Sequence, residues 1–268
     1  MRLKPEFSRY TTFLLDLDGV LWRGKYVISD AIEAVKTLIS IGKNVIFLTN
    51  NSTKDRKEYA LRLSSLGINI SIKHIITSAF ATASFMKNYL RLRDAYVIGE
   101  LGLKRELENQ GIKVFSEEEC ATMSFVSSIV VGLDRELTYR KLAIALKALL
   151  KGATFIATNE DSTLPTEEGL VPGAGSIVAA ISYALGRRPE YVVGKPNKWI
   201  FEIALKEFSI HPSEAIVVGD RLDTDIRGAV NMGIDSILVL TGVARLSDIE
   251  NSRIKPSYVL KSLKELFR

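Results

Sequence analysis

The chain is poor in the residues that build cross-links and histidine chemistry. Of its 268 residues one is cysteine, Cys120, and two are histidine, His74 and His211. A lone thiol excludes an internal disulfide, a thiolate zinc cluster and a thiol with a resolving partner, and it suits a reducing, intracellular compartment. So few histidines argue against histidine-based metal sites and against a serine–histidine hydrolase. Acid and base work therefore falls to carboxylates or lysines. No apolar run approaches the roughly 18 residues of a membrane span, and the N-terminus lacks the basic start and apolar core of a leader. A block of like charge is also missing. The 36 basic residues are dispersed among 31 acidic ones for a net charge of +5, which suits anionic small molecules better than nucleic acid. The expectation is a soluble, cytoplasmic protein that binds neither nucleic acid nor a membrane.

What is present is apolar material in short pieces. Hydrophobic residues make up 47% of the chain, and they fall in runs that alternate with amphipathic stretches, the pattern of a parallel sheet flanked by helices. The runs at 13–18, 44–49, 74–78, 95–99, 129–133, 154–158, 191–194, 215–220 and 236–240 read as strands. Residues 31–42 and 139–152 read as helices that close on a glycine. The fold class is α/β, a doubly wound, mainly parallel, Rossmann-like core.

Four of the predicted strand ends carry unusual polar groups: Asp16 with Asp18; Thr49 with Asn50 and Asn51; Lys195; and Asp220 with Asp225. In an open parallel sheet, ligands bind beyond the carboxyl ends of the strands, so these groups are expected to meet. Because two sets precede residue 55 and two follow residue 190, the stretch between must fold out and back as a second α/β unit. The expected organisation is core 1–79, insertion 80–185 and core 186–268.

The groups suit phosphoryl transfer, where positioning and charge stabilisation do most of the work. Asp16 and Asp18 leave a strand two residues apart and point the same way, so they repel one another unless a cation or proton intervenes. Asp16 can attack phosphorus and form an aspartyl-phosphate. Asp18 can protonate the leaving alkoxide and then deprotonate the attacking water. Thr49 and Asn50 offer a hydroxyl and a backbone or amide N–H to phosphate oxygens, and Lys195 offsets charge on nucleophile and substrate. Asp220 can join Asp16 in an oxygen site for Mg²⁺, with Asp225 orienting that set or the lysine. Asp223 suits a helix N-cap. The polar segment 158–165, which follows a strand, reads as a loop of the insertion that faces the core.

These residues, in this order, resemble the haloacid dehalogenase superfamily, whose motifs match as DLDGV, a Thr after the second strand, a Lys and GDxxxxD. FLTNNS, VVGLDRELTYRKL, FIATNED, GLVPGAGSIVAAI, VVGKPN and GDRLDTDI resemble its 4-nitrophenylphosphatase, phosphoglycolate and pyridoxal-phosphate phosphatase branch. The resemblance implies Mg²⁺-dependent hydrolysis of small phosphate monoesters, with an α/β cap that sets substrate choice. It further implies that Asp16 and Asp220 bind the metal by side chain and Asp18 by its backbone carbonyl. Arg221, Leu222, Asp223 and Thr224 are then expected near substrate, and pairing of two copies through the cap is expected. Alternative readings are a phosphomutase or phosphotransferase on the same scaffold, or a phosphate-ligand binding module without catalysis.

Overall fold

In the computed structural model, which describes residues 2–166 and 169–268, the apolar runs form two separate parallel sheets. The first has six strands, in the order Tyr258–Leu260, Asp235–Val239, Ala215–Gly219, Thr12–Leu15, Asn44–Thr49, Ile75–Thr77. Its central strands are buried at nearly every position, as strands covered by helices on both faces must be. The second has five strands, in the order Tyr191–Val192, Thr154–Ala157, Ser128–Val131, Asp94–Ile98, Lys113–Phe115. Two short antiparallel hairpins, Trp22–Arg23 with Tyr26–Val27 and Thr163–Thr166 with Gly169–Pro172, stand outside both sheets. Among the described residues no helix is long and apolar enough to cross a membrane.

Each apolar run read as a strand is one, with ends shifted by a few residues. The edge strands Lys113–Phe115 and Tyr258–Leu260 were not expected. Both are short and only partly buried, so they lack the continuous apolar signature of a central strand. The strand before Lys195 departs from expectation in another way. Tyr191 and Val192 pair with Ile156 and Ala157, so this strand closes the second sheet rather than joining the one that carries Asp16. A short apolar run says that a strand exists, not which edge it will pair with.

The two sheets share one core. Leu14, Ile46, Leu48 and Val217 of the first belong to the same buried cluster as Ala95, Val130 and Ile156 of the second. The helix Ser78–Phe85 packs within this cluster and is buried at every position, which explains its lack of a polar face. Polar ties add to this core. The Arg56 backbone N–H donates to Glu106 Oε1 at 2.8 Å, and Arg56 Nε lies 3.3 Å from both Glu106 oxygens. Gly102 lies so close to Lys54 that a Cβ there would sit 2.3 Å from the Lys54 carbonyl carbon.

Candidate active site

Beyond the carboxyl ends of the central strands of the first sheet, the chain brings Asp16, Lys195, Asp220 and Asp225 together. Asp16 prolongs the ladder by one step, its N–H donating to Val218 O at 2.8 Å, and this holds its side chain at the sheet edge. Asp220 directly follows the Ala215–Gly219 strand. Two glycines make room for it: a Cβ on Gly19 would lie 2.2 Å, and one on Gly242 1.8 Å, from Asp220 Oδ2. At φ +84°, Gly19 also takes a turn conformation that other residues rarely adopt. The helix after Asp220 opens with a π turn, Leu222–Ile226, which returns Asp225 beneath the strand end.

Lys195 is the hub. Its Nζ lies 2.8 Å from Asp16 Oδ1 and 2.6 Å from Asp225 Oδ1, and it donates to Leu48 O at 3.3 Å. The residue is only 3% exposed. Burial opposes its charge, yet Asp16 and Asp225 outweigh that and raise the ammonium above its ordinary value. Burial pushes Asp16 well above the usual carboxylate range against the pull of Lys195, with Asp225 and Asp220 adding to the rise. Asp220 is pushed up to about 7, by burial first and then by Asp225.

Oxygens of Asp16, Asp220 and Asp225 lie within 4.8 Å of one another. Three carboxylates and one ammonium leave a net charge of −2, which a divalent cation balances. Asp220 Oδ2 accepts from Val243 N–H at 2.7 Å, whereas its Oδ1 is buried without a partner. An unpartnered buried carboxylate oxygen facing like charge is what a hard cation needs, so these residues fit Mg²⁺. Asp225 is committed elsewhere, to Lys195 through Oδ1 and to Arg221 N–H at 3.2 Å through Oδ2.

Asp18 does not converge on the same point by its side chain. Its Oδ1 accepts from Trp22 Nε1 at 3.0 Å, and the carboxylate cluster contains Asp225 in its place. The strand has ended at Leu15, so the alternation that would align Asp16 with Asp18 no longer applies. Burial raises Asp18 above the ordinary carboxylate range, opposed by the Trp22 hydrogen bond.

One cavity is lined by Asp16, Asp18, Thr49, Asn50, Asn51, Lys195, Asp220, Arg221 and Thr224. Leu222 and Asp223 do not line it. Leu222 packs on the apolar cluster of Ile226, Leu238 and Ala244, and Asp223 turns to solvent in a paired contact with Arg221 at 3.1 and 2.9 Å. Nor is Asp223 an N-cap, because the helix starts before it, at Leu222. Thr49 Oγ1 accepts from Asn51 N–H at 3.1 Å. Asn51 Oδ1 accepts from Thr53 N–H at 3.0 Å and Oγ1 at 2.7 Å, a turn-forming arrangement.

Asn50 ties the second sheet to this centre. Its Oδ1 accepts from Lys195 N–H at 2.8 Å, and its Nδ2 donates to Lys195 O at 2.9 Å and to Asp161 at 3.0 Å. Asn159 Nδ2 donates to Asn50 O at 2.8 Å. The loop 158–165 thus lies across the cavity, which Asn159, Asp161, Thr163, Leu164 and Pro165 help to line. Sequence reasoning missed Arg23, Ser52 and Val243 as lining residues. Only the position of Arg23, just past the Asp16 motif, could have flagged it.

A parallel α/β fold with this acid–lysine centre at its strand ends defines a hydrolase of the phosphoryl-transfer type. A haloacid dehalogenase-like hydrolase model matches residues 13–113, and a second HAD-like hydrolase model matches residues 192–266. An acid sugar phosphatase of Staphylococcus aureus is 37% identical over 258 residues, 96% of this chain and 97% of its own. A p-nitrophenyl phosphatase from Archaeoglobus fulgidus superposes with a TM-score of 0.89 at 34% identity, covering 96% of this chain and 98% of its own. A glycerol phosphate phosphatase from Mycobacterium tuberculosis, in complex with calcium, gives 0.87 at 32% identity, covering 99% of this chain and 77% of its own. The chain belongs to the haloacid dehalogenase-like hydrolase family, among its phosphatases with an inserted α/β cap.

Proposed function

We propose that this protein hydrolyses small phosphate monoesters through an aspartyl-phosphate on Asp16, with Mg²⁺ as cofactor. The observation that carries the reading is the buried Lys195 held at 2.8 Å from Asp16, beside the unpartnered Oδ1 of Asp220, in one cavity. Asp16 attacks phosphorus as the ester P–O bond breaks, and Asp18 gives its proton to the leaving alkoxide. Asp18 then takes a proton from water, whose oxygen attacks the acyl-phosphate, releasing inorganic phosphate and restoring Asp16. Lys195 keeps Asp16 oriented and offsets charge on the phosphate, while Thr49 and the backbone around Asn50 line the phosphate's side of the cavity. Asp16 and Asp220 would hold Mg²⁺ by their side chains and, by family likeness, Asp18 by its backbone carbonyl; the ion would neutralise phosphate oxygens.

The cap, residues 80–185, is assigned substrate choice and water exclusion because its loop 158–165 crosses the cavity. The proposal includes a cytoplasmic location, a small phosphorylated metabolite as substrate, and pairing of two copies through the cap. Replacing Asp16 with Asn should abolish release of 4-nitrophenol and phosphate from 4-nitrophenyl phosphate in Mg²⁺, a loss of about a thousandfold or more. An unchanged rate would remove Asp16 from the nucleophile's role.

A further inference from the structure

We infer that Trp22 is a positioning residue for Asp18: its indole N–H fixes one carboxyl oxygen as an acceptor and so leaves the other to carry the proton that the leaving group takes. This rests on the phosphatase reading above, in which Asp18 is the acid of the first step. Asp18 lines the cavity from a loop, beyond the end of its strand at Leu15. The central sheet therefore does not set the direction of its side chain; Trp22 does, through an Nε1–H that donates to Asp18 Oδ1 at 3.0 Å. An indole nitrogen is a donor only. The oxygen it meets must offer a lone pair, so when the carboxyl is protonated its hydrogen sits on Oδ2. From there the proton passes to the ester oxygen as the P–O bond breaks and Asp16 bonds to phosphorus.

The indole is itself held in place. Its backbone closes the loop that carries Asp18: Gly19 N–H donates to Trp22 O at 2.7 Å, and Trp22 N–H donates to Leu17 O at 3.4 Å. The side chain is fully buried, in the cluster that contains Leu17, Leu21, Tyr59 and Leu63. The Arg62 guanidinium lies over the ring, 3.8 Å from its centroid, and donates to Gly24 O at 2.7 Å. Arg62 thereby ties the helix Arg56–Ser65 to the turn that follows Trp22. The ring cannot rotate away from Asp18 without disturbing these contacts. A buried indole needs an acceptor for its N–H, and any backbone carbonyl would serve. Here the acceptor is the carboxylate assigned the proton.

Across a series of esters in Mg²⁺, kcat/KM reports the step in which the alcohol departs. A 4-nitrophenolate leaves without a proton, a phenolate benefits from one, and a benzyl alkoxide needs it most. Trp22→Phe keeps a buried ring and removes the donor. It should lower kcat/KM by less than about threefold for 4-nitrophenyl phosphate and by about thirtyfold or more for benzyl phosphate, with phenyl phosphate between. A benzothiophene in place of the indole at position 22 exchanges only the N–H for sulfur and should give the same pattern, which keeps the test open where the smaller ring of Phe unsettles the loop. In an Asp18→Asn background Trp22→Phe should cost less than about twofold for every ester, because the group it positions is gone. A role confined to packing would lower all three esters alike and persist in that background. An equal loss for the three esters, or no loss, overturns the inference. Asp18→Asn alone separates the two levels: where it slows benzyl phosphate most and Trp22→Phe is flat, only the role of Trp22 falls; where it too is flat, the acid assigned to Asp18 falls as well. Wild-type protein that turns over none of the esters removes the phosphatase reading itself.

Discussion

At the carboxyl edge of the second sheet, Glu100 holds Arg135 by two hydrogen bonds of 2.7 Å, and Asp134 holds Lys141 at 2.9 Å. At the same edge of the first sheet, Asp16, Asp220 and Asp225 share one ammonium, and Asp220 Oδ1 has no partner at all. Both edges are built from parallel strands that end in glycine and acid. One neutralises its charges locally, and the other leaves a surplus of negative charge in a buried place. Burial of unbalanced charge costs stability, and here the surplus lines the cavity proposed to bind a cation and a phosphate. The shared architecture thus gives a scaffold at one edge and a reactive centre at the other.

The sharpest way to break this contrast is to remove the hub. Lys195→Met should lower turnover of 4-nitrophenyl phosphate by about a hundredfold or more, because Asp16, the proposed nucleophile, and the phosphate lose their balancing charge. The same change should destabilise the protein by about 3–5 kcal/mol at pH 8, since it strands Asp16 and Asp225. At pH 5.5 the loss should be smaller, as Asp16, which burial raises well above the usual carboxylate range, takes up a proton. Denaturant unfolding at the two pH values checks this, and an equal loss at both would count against it.

A middle-sized effect concerns the metal. Asp220 has a folded-state pKa of about 7, and burial raises Asp16 as well. Both lie above the unfolded carboxylate range, so the folded state holds extra protons; the associated stability is full below about pH 4 and is lost as pH rises through 7. Metal-free protein should therefore melt several degrees lower at pH 8 than at pH 6. Added Mg²⁺ should raise Tm more at pH 8 than at pH 6, because it replaces those protons. Scanning calorimetry with and without a chelator tests the sign, and an equal metal gain at both pH values would refute it. The smallest effect belongs to the neutralised edge. Glu100→Gln, which removes half of an exposed pair, should change stability by less than about 1 kcal/mol and turnover by less than about twofold. A large loss of activity there would erase the distinction between the two edges.

Much of this was legible along the chain. Asp16, Lys195 and Asp220 each follow an apolar run, and that local pattern announces a polar group at a strand end. Asn44–Thr49 was read to its exact limits because its burial is continuous. Asp18 was harder, since its direction depends on a turn that hands it to Trp22. Arg221 to Thr224 could be assigned only as a block. A π turn faces Arg221 and Thr224 into the cavity and leaves Leu222 and Asp223 outside it, and no periodicity in five residues reveals such a turn.

The order of apolar and polar residues determined the α/β class, the need for a second unit between the motifs, and a chemistry of carboxylates and lysine in place of histidine or thiol. These are properties of neighbours in the chain, where periodicity and residue type act directly. Tertiary structure decided which sheet carries the strand before Lys195, which oxygen of Asp220 stays free, and which cap residue meets Asn50. Those outcomes depend on contacts such as Asn50 with Asp161, 111 positions apart, and Asn50 with Lys195, 145 apart. Local sequence carries no signal for partners at that distance. They meet only when the common core closes.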